Sequence, residues 1–383
     1  VSLRIRPVDS PRDLARFVDL PWRLYRDDRA WVPPLKRDVK ALLDRAHNPF
    51  FEHGAAQPFV AERDGRAVGR IAAIVNAAHN DFHGDRVGFF GLFECEEDRE
   101  AAGALFGAAE AWVAERGMDV LRGPMSLSTN DECGSLVEGF ETPPTVLMPH
   151  NAPHHAALYE GAGFAKAMDL LAYDVAGVEA PERIVRAVDA VRARAGAVIR
   201  TIDMKRFAQE VDRIRAIYNS VWDANWGFVP MTRAEMDYTA GQLRPVVDPE
   251  LVLFAEIDGR SIAFALALPD LNEALRYANG RLFPFGALAI WWHARRIRRV
   301  RVITLGIERE HRASGIDAVL YFELFARAKR RGYSGGECSW VLEDNAAMRR
   351  PIERLGGRVY KRYRVYDRAV APDARAGAPG AAR

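Results

Sequence analysis

The feature that most limits how this chain can fold is an internal repeat. Ala61-Glu62-Arg63-Asp64-Gly65-Arg66 returns as Ala255-Glu256-Ile257-Asp258-Gly259-Arg260, each time between two apolar runs, at a spacing of 258 − 64 = 194 residues. Asp-Gly between strand-like runs predicts a hairpin, because a tight two-residue turn needs positive φ at both positions. Further along, Asn151 opens and Gly163 closes a helical stretch, and Asn345 and Gly357 do so at the same spacing. Two matches at one offset imply a duplicated domain. Each copy reads as a strand, one or two helices, a hairpin, a long strand, a helix, a strand, a helix and closing strands, a mixed α/β layout.

In the first copy the central helix is expected over Arg99 to Arg116, with Leu105, Ala109 and Trp112 inward, followed by a strand from Asp119 to Leu127. Ile316 to Arg331 and Glu337 to Leu342 are the matching pieces of the second. Asp174 to Pro181 breaks the pattern. The expected division is therefore a domain over 1–175 carrying a polar insertion at 129–150, a second over 176–370, and a disordered Ala/Gly/Pro/Arg tail over 371–383.

The balance of 54 basic and 52 acidic side chains leaves a net charge of +2, which makes no global case for nucleic acid. Cys95, Cys133 and Cys338 are odd in number and irregularly spaced, against both a disulfide framework and a CxxC metal site. No run reaches the roughly 18 apolar residues of a membrane span, and no secretory leader is visible, so the expected location is cytoplasmic.

One stretch suggests a ligand. A β-branched run ending at Ile307 breaks into a loop with Arg309, Arg312, Ala313, Ser314 and Gly315, then into a helix from Ile316 with Leu320, Leu324 and Ala328 on one face. A strand feeding free amides at a helix N-terminus is an anion cradle, and the two arginines add charge. The plain alternative is an ordinary strand-to-helix connection with surface arginines. The first copy has Glu94-Cys95-Glu96-Glu97-Asp98-Arg99-Glu100 at that place, carboxylates that would repel a diphosphate.

Leu282 to Trp292 is apolar and aromatic, and is followed by Arg295, Arg296, Arg298, Arg299 and Arg301. This composition suits the headgroup region of an anionic membrane or the mouth of an acyl-chain tunnel. The competing reading is a buried helix followed by a basic edge strand.

The tandem pattern resembles the GNAT superfamily of acyl-CoA-dependent N-acyltransferases over nearly the whole chain. Arg312-Ala313-Ser314-Gly315-Ile316-Asp317 matches that family's [Q/R]xxGx[G/A] diphosphate motif except at Asp317, which sets a negative charge near the phosphates. Asn151 to Phe164 is similar to the second family motif, and the resemblance implies Tyr159 as the acid that protonates the leaving thiolate; the alternative is a core tyrosine. Its counterpart in the second copy is Glu353, either a proton-transfer group or a solvated carboxylate. The Ser-Thr-Asn-Asp-Glu-Cys-Gly run at 128–134, the 143–151 stretch and Leu282 to Gly286 resemble the bacterial ceramide-synthase-like branch, which joins a long-chain acyl-CoA to a sphingoid amine.

The resemblance implies two tandem GNAT-like domains, each a mixed central sheet flanked by helices, with acyl-CoA as co-substrate and no metal. The second copy would hold Ile307, Arg309, Arg312, Ala313, Ser314, Gly315 and Ile316 against the CoA. Asp131 and Glu132 can bind an ammonium and take its proton, as amine acylation requires, and Glu343 and Asn345 are further candidates on the acceptor side. Cys133 as a nucleophile is a weaker expectation, and His150, His154 and His155, without a spaced carboxylate or thiol partner, are not taken as metal ligands. The functions left open are long-chain N-acylation of a lipophilic amine with peripheral membrane contact through 282–301, soluble N-acetylation of a small amine or peptide, and CoA binding without turnover.

Overall fold

The computed structural model describes residues 2–176, 182–221, 225–312 and 314–371. In chain order its elements are β1 (Leu3–Pro7), α1 (Pro11–Leu24), α2 (Lys36–Leu42), β2 (Gly54–Arg63), β3 (Arg66–Asn76), α3 (Ala77–His83), β4 (Val87–Cys95), α4 (Arg99–Ala114), β5 (Val120–Gly123), β6 (Ser135–Glu138), α5 (His155–Gly161) and β7 (Ala165–Ala176). There follow α6 (Glu182–Ala195), β8 (Val198–Thr201), α7 (Phe207–Val221), α8 (Arg233–Leu243), β9 (Val252–Ile257), β10 (Arg260–Pro269), α9 (Asn272–Leu275), α10 (Gly286–Ala294), β11 (Arg299–Ile307), α11 (Ile316–Arg330), β12 (Gly335–Leu342), α12 (Ala346–Arg354) and β13 (Arg358–Ala369). Both Asp-Gly hairpins form, with φ of 52° and 80° at Asp64 and Gly65 and 51° and 78° at Asp258 and Gly259. The expected tail lies outside the described residues beyond 371, as do 177–181 of the expected domain break.

The chain divides into two compact units, and neither is a continuous stretch. Unit one draws on residues up to 170, on 275–287 and on the chain from 361, while unit two holds 171–274 and 288–360. In unit one the strand order is β1-β2-β3-β4-β5-β13, with β6 also paired to β13; in unit two it is β7-β12-β11-β10-β9-β8. The closing strands of the two repeats are thus exchanged. β13, which ends the second repeat, pairs antiparallel with β5 from Tyr366 opposite Gly123 to Ala369 opposite Val120. β7, which ends the first, lies beside β12.

Each unit packs a helix on its sheet. Leu105, Ala109 and Val113 of α4 are fully buried against Phe90, Ile71 and Leu121 in unit one, whereas Trp112 is only partly buried, with Arg116 lying over its ring at 3.6 Å. In unit two Leu320, Leu324 and Ala328 of α11 face the core as their spacing requires. The first-copy strand expected to reach Leu127 stops at Gly123, since Pro124 has no amide to give the ladder.

Each unit contains a parallel pair of strands beside antiparallel ones. β4 and β5 pair only from Val87 opposite Val120 to Phe89 opposite Arg122, and β11 and β12 only from Arg299 opposite Gly335 to Val302 opposite Cys338. Past those residues the parallel register stops, although in unit one the Met125 amide still donates to the Phe90 carbonyl at 2.7 Å.

Candidate functional site

In unit two β11 runs on past its parallel pairing to the expected cradle. β11 closes with the buried Ile307, a single 3-10 turn follows over Arg309–His311, and Gly315 caps α11 at a φ of 82°. A side chain at 315 would be strained at that angle and would sit 3.2 Å from Val191. Ser314 Oγ donates to the His311 carbonyl at 2.6 Å and accepts the Ile316 amide at 3.3 Å. The helix has no other side-chain cap, which leaves first-turn amides directed at the turn. Arg309 and Arg312 are exposed beside it, and the Arg312 guanidinium donates to the Val221 carbonyl. Ile316 is fully buried beneath, Asp317 is half-buried, and Ala313 lies outside the described residues. Donor amides, a glycine at the helix start and two arginines fit a diphosphate.

Unit one places different chemistry at the equivalent point. A cavity of about 290 Å³ at the end of β4 is lined by Tyr25, Cys95, Glu96, Glu97, His154 and His155, with Arg23, Leu24 and Ala152. Tyr25 donates a hydrogen bond to Glu94, which is buried on β4 and has Arg70 Nη2 3.8 Å from its other oxygen. Burial disfavours the Glu94 carboxylate more than Arg70 and Tyr25 favour it, and the negative field of Glu132 adds to this, so the group is pushed up to about 7. Burial first, and Glu94 second, raise the Tyr25 hydroxyl well above its ordinary value. Arg70 is itself held in place by donating to the Phe17 carbonyl at 2.9 Å. The result is a buried carboxyl poised near neutrality behind a tyrosine that lines a cavity. Sequence reasoning counted Glu94 only as one of a run of repelling acids; its partners Tyr25 and Arg70 are far from it in the chain.

The other acids of that run are neutralised rather than massed. Glu96 pairs with Arg23 and with Arg66 at 3.0 Å, Asp98 and Glu100 with Arg63 at 2.7 and 2.8 Å, and Asp98 also caps α4 by accepting the Ala101 amide at 3.0 Å. The expected repulsion is correspondingly reduced. Of the two insertion acids, Glu132 comes within electrostatic reach of Glu94 and Arg70. Asp131 is exposed and accepts from Ser128 Oγ at 3.2 Å.

Tyr159 is 1% exposed, packed among Phe90, Phe93, Phe106, Phe164 and Tyr366, and burial lifts its hydroxyl well above the ordinary range. Asn151 does not begin α5; its amide bridges the backbone of Leu136, accepting from the N–H at 2.6 Å and donating to the carbonyl at 3.1 Å. In the second copy Asn345 does cap its helix, accepting the Met348 amide at 3.1 Å, and the Glu343 carbonyl accepts from Arg349 at 2.7 Å. Glu353 accepts a hydrogen bond from Tyr173 at 2.9 Å. Cys133 is buried, and burial pushes its thiol up to about 12, away from the thiolate a nucleophile needs. The histidines diverge: His150 meets Asp28 at 2.8 Å, while His154 and His155 turn to the Cys95 carbonyl at 2.9 and 3.4 Å. Among the described residues no group of three or more His, Cys, Asp or Glu side chains could hold a metal ion.

The buried-helix and basic-edge reading of 282–301 is also corrected. No residue of α10 is buried, and Trp291 and Trp292 are 53% and 52% exposed. β11 lies inside its sheet, between β10 and β12, so Arg301 is buried against Ser339 at 2.8 Å and Arg299 pairs with Asp174. No helix among the described residues is long and apolar enough to cross a membrane.

No protein-family model matches the chain. It is 39% identical over 378 residues to the bacterial ceramide synthase of Caulobacter vibrioides, covering 96% of this chain and 98% of that one. It is 38% identical over 374 residues to protein YghO of Escherichia coli, covering 96% and 95%. Among solved structures it is similar to the tandem GNAT protein of the clavulanic acid biosynthesis pathway, with a TM-score of 0.57 at 14% identity over 97% of this chain and 99% of that one. A GCN5-related N-acetyltransferase from Sphaerobacter thermophilus gives 0.54 at 14% identity over 97% and 96%.

Proposed function

The chain belongs to the family of tandem GNAT-fold N-acyltransferases that includes bacterial ceramide synthase, and from this premise we propose that it moves a long-chain acyl group from acyl-CoA to the amine of a lipophilic acceptor such as a sphingoid base. The observation that carries the reading is the cradle at Gly315, where first-turn amides without a side-chain cap and two arginines supply the charge to hold a CoA diphosphate. The 39% identity to a ceramide synthase supports the acceptor class.

An amine reaches the enzyme as an ammonium ion and must lose a proton before its lone pair can attack a thioester carbonyl. In this scheme Glu97, on the lining of the unit-one cavity, draws the cation in, and Tyr25 relays the ammonium proton to Glu94. Glu132 assists by raising the proton affinity of Glu94. The neutral amine so formed is competent to attack a thioester carbonyl directly and expel the thiolate, with no acyl-enzyme. The exposed rings of Phe283, Phe285, Trp291 and Trp292 support peripheral membrane contact through 282–301, where such an acceptor would be met.

The test of the cradle is CoA binding by calorimetry. Arg312→Glu reverses a charge beside the diphosphate and is expected to weaken binding about a hundredfold. Unchanged affinity refutes the assignment. A series of acyl-CoA donors separates this reading from small-amine acetylation: turnover should favour long chains over the two-carbon donor.

A further inference from the structure

A second cavity, of about 580 Å³, lies wholly within unit one and takes no part in the scheme above. Its walls are α1, the start of α2 and the turn over 278–281, and its polar lining is Asp19, Arg23, Arg26, Lys36 and Arg281, with Trp22 beside them. Lys36 is answered by Asp19 at 2.5 Å and Arg23 by Glu96. Arg26 and Arg281 have no carboxylate partner among the described residues, so the cavity carries surplus positive charge.

The walls are fixed before any ligand arrives. Trp22 Nε1 donates to Asn279 Oδ1 at 3.0 Å, and the Lys36 amide donates to the Gly280 carbonyl at 3.0 Å. Gly280 has a φ of 73°, and a Cβ there would fall 2.2 Å from the Trp22 ring and 2.8 Å from the Pro34 carbonyl oxygen, so the turn fits only as glycine. Immediately beyond this clamp the chain projects Phe283 and Phe285, which are 87% and 75% exposed. Arg281 therefore stands at the junction of a cationic cavity and two solvated aromatic rings.

We propose that this cavity is a headgroup site for an anionic phospholipid, which seats unit one on a membrane while Phe283 and Phe285 enter the acyl boundary. A free anion would account for the arginines and leave the two rings unexplained; a phosphate attached to a lipid accounts for both. The inference deepens the membrane contact proposed above by naming the lipid charge and the residues that read it, and it needs no turnover to be tested.

The full chain is sedimented with phosphatidylcholine vesicles, with and without phosphatidylglycerol. Binding is expected only with the anionic lipid. Arg26→Gln/Arg281→Gln should lower vesicle affinity roughly thirtyfold, and Phe283→Ser/Phe285→Ser should abolish stable binding, both with the far-UV spectrum of the parent. Equal binding to neutral vesicles, or unchanged affinity in the arginine pair, overturns the site even if the aromatic pair is required and membrane contact itself survives. Tight binding of soluble glycerol phosphate without vesicle binding overturns the lipid assignment. Should the arginine pair fail to fold, Arg281→Gln alone must still bind anionic vesicles more weakly than the parent, and unchanged affinity in that single variant overturns the proposal.

Discussion

Glu94→Gln is expected to lower kcat for acyl transfer by two to four orders of magnitude, roughly what a positioned proton acceptor contributes. The sign of the pH dependence follows from the raised carboxyl, at about 7. Only the ionised form can take a proton, so the kcat of the parent should climb as pH rises toward 7 and level off above it. In Glu94→Gln the climb should be absent, and Tyr25→Phe should depress kcat across the range by removing the hydroxyl that links Glu94 to the cavity. A pH profile with its rise intact in Glu94→Gln would exclude this carboxyl as the acceptor.

Tyr159 should separate a chemical from a packing role. Its ring is enclosed by five other aromatic side chains, so Tyr159→Ala is expected to cost about 3–5 kcal/mol of stability, the usual penalty for emptying a large core position. Tyr159→Phe keeps the ring and should retain kcat within about threefold. A large loss of kcat in Tyr159→Phe with unchanged denaturation midpoint would restore this residue as the acid that protonates the thiolate.

Much of the architecture can be read from the chain because it is written in local chemistry. Asp64-Gly65 and Asp258-Gly259 report positive φ whatever surrounds them, and the buried face of α11 follows from helical spacing alone. The cradle is legible for the same reason, since Gly315 and the amides after it are neighbours in sequence. What escapes is set by partners distant in the chain. A run of acids looks repulsive until Arg23, Arg63 and Arg66 are found beside it, and the proton affinity of Glu94 depends on burial and on Tyr25, 69 residues earlier. Likewise, an apolar stretch followed by arginines reads as core or surface with equal ease. The exposure of α10 and the interior place of β11 decide it.

The exchange of closing strands also governs when each unit can be completed during synthesis. Gly123 of β5 is separated from Arg358 of β13 by 358 − 123 = 235 residues, so the nascent first unit waits with a bare strand margin while almost all of the second is translated. The two halves therefore mature together, and the waiting margin is the part of the nascent first unit most open to mispairing.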